Sequence, residues 1–480
     1  MTLSARSADL RGNEYQYIRA WRYAVVGSYK PGFRSLSVEE KEGGAFDDVV
    51  VRWDDGATDY EQAKTSNFGN TVIDDAWLIT ARTANGKSPL QHFFRTWSSL
   101  TASGLSFDLT IVTNRGVDVN HPVLETRDLM SGHLAADRLV GPPNGKLALK
   151  LRDWEQHLDT DAETLVAFLS SLRVETTGTM DSILEELAVA HRAAGLRDDE
   201  QALQLGISFV RDWVMRGAGE QTREQIWDQI VRARLLIPNV ELTLAVSSID
   251  SYETAREPHV RLDFTQLYDQ SLSPWSRREI AVEAIWSSDI LPQLAAAESR
   301  LARFGSKSLH VQGHMRLPMW FAVGRAFPSV RGWKLSTVQT GDSWALHPAR
   351  DVGDDLRQHL VEGSSGELVV AVSLSNDMIG DATRWAEVAG LETASILHLS
   401  PQVEPSLSAV PDGEWMSGWA RKAREAVQAA SRGRTRAHLL MSAPSSGALA
   451  LGHHWNVMLP TTVYEYDPTS QSYVSCFTSA

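Results

Sequence analysis

With 480 residues, 43% hydrophobic and 22% charged, the chain excludes wholesale disorder and is too long for one ordinary core, so two or three domains are expected. Its 60 acidic against 46 basic residues leave a net charge of −14, which excludes a protein that coats nucleic acid over its whole surface. The single cysteine, Cys476, excludes a disulfide framework or a cysteine-built metal site; with no apolar run of about 20 residues to span a bilayer and no apolar leader core, a soluble protein of the reducing cytoplasm is expected, with no membrane partner.

In chain order, residues 1–34 carry Arg6, Arg11, Arg19, Arg22, Lys30 and Arg34 against only Asp9 and Glu14. That excess reads either as a face on which a polyanion docks or as an ordinary charged helix face. Tyr15, Ile18, Trp21 and Val25 recur at helical spacing between Gly12 and Gly27, which predicts a helix over 13–26 with Glu14 and Gln16 in its first turn. Residues 46–64 predict a hairpin: Asp47 and Asp48 open a β-branched run, Asp55 and Gly56 supply the turn, and Tyr60 to Lys64 return. Such a hairpin brings Asp48 beside Gln62 and Lys64, which at i and i+2 share a face of the second strand. A carboxylate and an amide oxygen suit a hard divalent cation such as Mg²⁺, and a lysine beside them suits orienting an attacking water and offsetting charge on a pentavalent phosphate. On spacing alone, the same residues also describe a solvated polar hairpin. Residues 74–82 read as a helix start or short strand, 93–100 as a helix with aromatic anchors, and 107–113 as a strand ending at Asn114, Arg115 and Gly116. Together these elements predict a small α/β domain over 1–150.

Gly12, Tyr15 and Gln16, then Asp47 and Asp48 with the following valines, then Gln62, Ala63, Lys64 and Thr65, then His92, Phe93, Phe94 and Trp97, then Ile111 to Arg115, resemble the nuclease module of the PD-(D/E)XK superfamily found fused to bacterial antiphage sensors. The resemblance implies a restriction-endonuclease-like fold, Asp48 and Gln62 as metal ligands, and Asp48, Gln62 and Lys64 as the catalytic set. Gln62 stands where many members carry Glu, which removes one negative charge from the metal shell. Asp47 remains an alternative to Asp48; Asp48 is preferred because its even offset from Val50 puts both on the inward face.

From 151 to 254 a helical connector is expected. Leu165, Phe168, Leu169 and Leu172 form one stripe, Ile183, Leu184, Leu187 and His191 another, and Thr222 with Gln225 reads as a capping box. His191 on its apolar stripe reads as a packed core residue. A break falls near 247–275, where helical periodicity lapses. Strands are expected at 308–313, 333–338, 367–375, 394–399, 436–442 and 462–466, and helices at 317–327, 378–390, 414–431 and 446–455. That alternation implies a parallel sheet buried on both faces, with ligands taken at the carboxyl ends of its strands. The strand ends 313–316, 373–376 and 442–445 suit phosphate at helix N-termini, or are ordinary turns and caps. Trp344 reads as a base-stacking platform or as core, and His453 with His454 lacks a third ligand at zinc spacing.

Leu309, Val311, Gly313, Arg316 and Pro318, then Val372 to Ser375, Leu439 to Pro444, Gly452 and Asn456, ending at Val463 to Asp467 and Tyr473, resemble a SAVED domain over 255–480, a fused pair of Rossmann-like (CARF-like) sensor units. The resemblance implies a cyclic di- or trinucleotide second messenger as ligand, with Arg316, Trp344, Ser373, Ser375, Asn376, Pro444 and Gly452 as candidate ligand-binding residues. The combination resembles CBASS antiphage effectors. In these, messenger binding drives homo-oligomerisation and the Mg²⁺-dependent nuclease modules then cut double-stranded DNA. The alternatives are a messenger-sensing scaffold with an inactive nuclease fold, which Gln62 keeps open, and an RNA nuclease.

Overall fold

Val49, Val50 and Val51 form a strand because a β-branched run next to a turn loses little on extension, and the hairpin predicted over 46–64 is present with its turn at Asp55 and Gly56. The computed structural model describes residues 5–64, 72–81, 83, 86–128, 130–139, 145–268, 283–468 and 470–479. Thr65, Arg82 and residues 269–275 of the expected break lie outside the described residues. The chain divides into two units, Met1–Ile237 and Pro238–Ala480.

The first unit runs α1 (Ala5–Tyr29), β1 (Phe33–Val38), β2 (Val49–Trp53), β3 (Thr58–Lys64), β4 (Val72–Ile73), α2 (Asp75–Ile79), α3 (Pro89–Ala102), β5 (Phe107–Thr113) and β6 (Gly116–Val117). It continues with α4 (Lys146–Leu158), α5 (Ala162–Ser170), β7 (Leu172–Thr176), α6 (Met180–Ala193), α7 (Glu200–Arg216), β8 (Gln221–Thr222) and α8 (Arg223–Arg232). Its main sheet has the order β7-β5-β3-β2-β1-β8, with an antiparallel β1–β2–β3 meander and β5 and β7 parallel to β3. Val50, Tyr60, Leu109 and Ile111 bury one face against Phe93, Trp154 and Phe168 of α3, α4 and α5. A capping box at Ser88 and Gln91, with Pro89 in the first turn, starts α3.

Three expectations change here. The first helix starts at Ala5 rather than at residue 13 and runs through Gly12. Strand β1 was not anticipated. Leu172 to Thr176, expected to be helical, is a strand: α5 stops at Ser170, and Leu172 and Val174 point inward with period two. His191 is indeed a packed residue, accepting from Trp21 Nε1 at 2.8 Å, and burial pushes its imidazole down. The capping box at Thr222 and Gln225 is formed.

The second unit runs β9 (Glu241–Ser247), β10 (Val260–Asp263), α9 (Glu283–Ile285), α10 (Leu291–Ala302), β11 (Ser308–Gln312), α11 (Leu317–Ala326), β12 (Lys334–Gln339), β13 (Asp342–Ala345) and β14 (Leu356–Val361). Then follow β15 (Glu367–Ser373), α12 (Ile379–Val388), β16 (Ser395–Pro401), α13 (Gly413–Ala430), β17 (Arg436–Ser442), α14 (Ser445–His454), β18 (Thr461–Asp467) and β19 (Ser472–Ser479). Two sheets form, β10-β9-β11-β12-β13 and β14-β16-β15-β17-β18-β19, with parallel centres and antiparallel edges at β13, β14 and β19. One core joins them, from Leu244 and Val311 on one sheet to Val370 and Leu439 on the other. The helices of 151–254 pack within the first unit, whereas β9, which precedes 255, pairs with β11 in the second.

Candidate functional site

The register that pairs Val49 with Glu61 and Val50 with Tyr60 carries Asp48 opposite Gln62. Asp48 Oδ2 accepts the Ala63 N–H at 2.7 Å and the amide of Gln62, while Gln16 of α1 donates through Nε2 to the Asp48 carbonyl at 3.0 Å. It is Asp48, not Asp47, that reaches Gln62. Burial pushes the Asp48 carboxyl up to about 6, against the pull of Lys64 and the Ala63 N–H. Burial raises Asp47 as well. The Lys64 carbonyl accepts the Thr113 hydroxyl at 2.5 Å, which ties the end of β3 to β5. Gln62 and Lys64 line a cavity of about 380 Å³ with Trp77, Lys87, His92 and Phe93.

The opposite face of β3 holds a second polar layer. Glu61, 3% exposed, accepts from Arg19 Nε at 3.0 Å, Arg19 Nη2 at 2.7 Å and Tyr23 Oη at 2.8 Å; Arg19 also reaches Glu175 of β7 at 2.9 Å. This removes Arg19 from the basic excess of residues 1–34. Arg19 is 1% exposed, because a guanidinium that spans two carboxylates can be buried where an unpaired one cannot. Arg22 pairs with Glu186 at 3.5 Å, and Lys30 lies over the Trp53 ring at 4.2 Å.

The donor set at Asp48 fits a divalent cation of one kind. Among the described residues no group of three or more His, Cys, Asp or Glu side chains is placed to hold a metal. Asp48 and Gln62 touch, however, and half a turn of the Gln62 amide presents Oε1 instead of its N–H₂. One carboxylate and one amide oxygen suit a hard cation that keeps most of its waters, as Mg²⁺ does, and do not suit zinc.

In the second unit the candidate ligand residues separate by environment. Ser375 is half-buried and Asn376 exposed on the loop after β15; Asn376 Nδ2 donates to Ser442 Oγ at 3.1 Å, and the Ser375 hydroxyl has no hydrogen-bond partner among the described residues. Pro444 is the N-cap of α14, and beside it Ser445 donates to Gln339 Oε1 at 3.0 Å, bringing the end of β12 to the end of β17. The buried Ser446 hydroxyl likewise has no partner among the described residues. Ser373 is committed internally, meeting His398 Nε2 at 2.8 Å and accepting from the Met378 N–H at 2.9 Å. Arg316 is nearly buried against Glu465 at 3.4 Å, and Trp344 is half-buried on the edge strand β13. Gly452 lies within α14 where α11 crosses: a Cβ there would stand 2.0 Å from the Phe321 carbonyl. Sequence reasoning missed Gln339 and Ser446; the Ser445, Ser446, Gly447 run after Pro444 was the available signal.

A unit of two sheets with parallel centres, following a mixed-sheet unit with a polar cluster on its hairpin, is the class of molecule this geometry defines. Residues 290–478 match the SAVED family, the SMODS-associated and fused to various effectors sensor domain, so a SAVED domain occupies the C-terminal part of the chain. The fold of the chain is similar to that of the Acinetobacter baumannii Cap4 SAVED/CARF-domain containing receptor with the cyclic trinucleotide 2'3'3'-cAAA, with TM-score 0.52 and 17% identity over 97% of this chain and 98% of that one. The same receptor with 3'3'3'-cAAA gives the same values. The Moraxella osloensis Cap4 receptor matches with TM-score 0.52 and 15% identity over 98% of this chain and 99% of that one. At such identities the likeness is one of fold. No curated protein matches the chain.

Proposed function

We propose that the protein is an antiphage effector of the CBASS type: a Mg²⁺-dependent endonuclease acting on double-stranded DNA, switched on when a cyclic di- or trinucleotide binds its SAVED domain and drives homo-oligomerisation. The observation that carries this reading is the meeting of Asp48 with Gln62, which in turn lines one cavity with Lys64. The order helix, three-stranded meander, helix, parallel strand around them supports the resemblance to PD-(D/E)XK nucleases. Asp48 and Gln62 would hold the cation, which when bound supplies a water of lowered pKa and counter-charge for the phosphate. The Ala63 N–H and Gln16 fix Asp48 in place. Lys64 orients the attacking water and balances the charge that grows on the pentavalent phosphate. At the other site, the Ser375 and Ser446 hydroxyls and the Asn376 amide offer donors and acceptors to a cyclic phosphodiester.

Agarose-gel cleavage of plasmid DNA with Mg²⁺, with and without a panel of cyclic di- and trinucleotides, tests the reading. One messenger is expected to trigger degradation. Lys64→Ala is expected to lower cleavage at least about a hundredfold while ligand-induced assembly, followed by size-exclusion chromatography, persists. Messenger binding without cleavage of DNA or RNA would instead favour a sensing scaffold, the reading that Gln62 and the thin donor set also support. RNA cut in preference to DNA would assign a ribonuclease.

A further inference from the structure

We propose that a second cavity, adjoining the one at Lys64, is a phosphate subsite that holds the nucleic-acid strand away from the scissile phosphate. The inference rests on the nuclease reading and adds a binding surface to it. The cavity measures about 560 Å³ and is lined by Lys41, His92, Arg95, Thr96, Ser99 and Ser103 among others. It shares Ala45 and His92 with the cavity that contains Lys64 and Lys87. The two therefore form one track across α3.

Charge distinguishes the track from the rest of the unit. The chain has 60 acidic residues, yet among the described residues neither lining includes a carboxylate. A third cavity, of about 490 Å³, shows the ordinary mixture, with Glu39, Glu40 and Glu220 beside Lys41 and Arg52. Several cations elsewhere in the unit are neutralised within the protein: Arg19 by Glu61 and Glu175, Arg52 by Glu40, and Lys150 by Asp75. Lys41, Lys87, His92 and Arg95 are exposed and form no ion pair among the described residues. Exposed lysine and arginine side chains lining a concave, carboxylate-free surface concentrate a polyanion, and the hydroxyls of Thr96 and Ser99 add hydrogen bonds of the kind that position a phosphate, whereas Ser103 donates its own to the Leu100 carbonyl at 2.6 Å.

The wall is built rather than incidental. The Ala45 N–H donates to Thr96 Oγ1 at 2.9 Å, fastening the turn Lys41–Gly43 to α3. Gly44 adopts φ +59°, and a Cβ there would come within 2.6 Å of Thr96 Oγ1, so only glycine lets the turn lie this close. Lys41 and Arg95 thereby line the same cavity. The occupant this fits is the sugar-phosphate backbone one or more nucleotides from the bond that is cut, held without sequence preference.

Duplex DNA binding by the full chain, followed by fluorescence anisotropy in EDTA over a salt series and with each cyclic oligonucleotide of the panel, tests the assignment. Lys41→Gln/Arg95→Gln is expected to reduce the slope of log K against log salt by about 2, at about 0.9 for each phosphate no longer neutralised. Arg34→Gln, an exposed change outside both cavities, is expected to leave the slope unchanged. In the cleavage assay the double variant should raise KM more than it lowers kcat. An unchanged slope in the double variant overturns the subsite, as does a slope that Arg34→Gln lowers equally, or a wild-type protein that binds no duplex under any condition. Failure of the nuclease reading is scored separately, by the plasmid gel: DNA binding with the expected slope change but no cleavage would retain the subsite and remove the enzyme.

Discussion

Asp48 is expensive where it stands. Burial lifts its carboxyl to about 6, above the ordinary value of 3.8, so the folded protein takes up this proton more readily than the unfolded chain does. A raised folded value contributes stability that is full below the unfolded pKa and is lost as pH rises through about 6. At pH 7 without metal the ionised carboxylate therefore opposes folding, by about 3 kcal/mol for a shift of this size. Asp48→Asn, which keeps the shape and drops the charge, is expected to stabilise the metal-free protein at pH 7 by up to that amount and to differ little from wild type near pH 4. Urea unfolding in EDTA across this pH range measures it, and the same variant should not cleave. An Asp48→Asn protein less stable than wild type at pH 7 would mean that the Ala63 and Gln62 contacts outweigh the desolvation cost. The residue set was readable in the sequence because Asp48, Gln62 and Lys64 follow from one hairpin register. The polar layer behind them was not, since Arg19 and Glu175 lie far apart in sequence and meet only through the fold.

At the scale of elements, that layer locks β3 between α1 and β7. Arg19 bridges Glu61 and Glu175 while almost fully buried, and Tyr23 completes the coordination of Glu61. Arg19→Met leaves a buried carboxylate without its cation, which costs about 3–5 kcal/mol. Arg19→Met/Glu61→Gln removes both charges and should recover much of that stability, an ordering of urea midpoints that a merely exposed ion pair would not give. Elements with strong periodicity were legible: 436–442 is the strand expected, and 414–431 is a helix within a residue at each end. Elements that announce themselves weakly were not. Strand β7 hid behind the last apolar residue of α5, β1 is six residues with Arg34 in its second position, and the antiparallel edges β13 and β14 carry too many exposed residues to read as buried strands. Gly452, expected at the ligand, lies at the crossing of α11 and α14, a close approach that no local pattern announces.

At the scale of the whole molecule, the proposed function divides the work between a catalytic unit and a SAVED-bearing unit on one chain, and assigns the ligand to the second. A cyclic oligonucleotide that fills the strand ends of the sensor binds the folded Pro238–Ala480 unit and not its unfolded chain, which stabilises it by about 2.7 kcal/mol at a hundredfold excess over Kd. Protection from hydrogen exchange is therefore expected first at the loop after β15, where Ser375 and Asn376 lie, at the first turn of α14 after β17, where Ser446 lies, and in the strands that end there. Asn376→Ala removes an exposed amide from that surface and, at about 1 kcal/mol per hydrogen bond, should weaken messenger binding about fivefold without unfolding the unit. Ser373→Ala is a different case: its hydroxyl serves His398 and the Met378 N–H, so the effect should fall on stability before it falls on affinity. Protection confined to the first unit, or an Asn376→Ala protein with unaltered affinity beside a weakened Ser373→Ala protein, would move the ligand away from these strand ends.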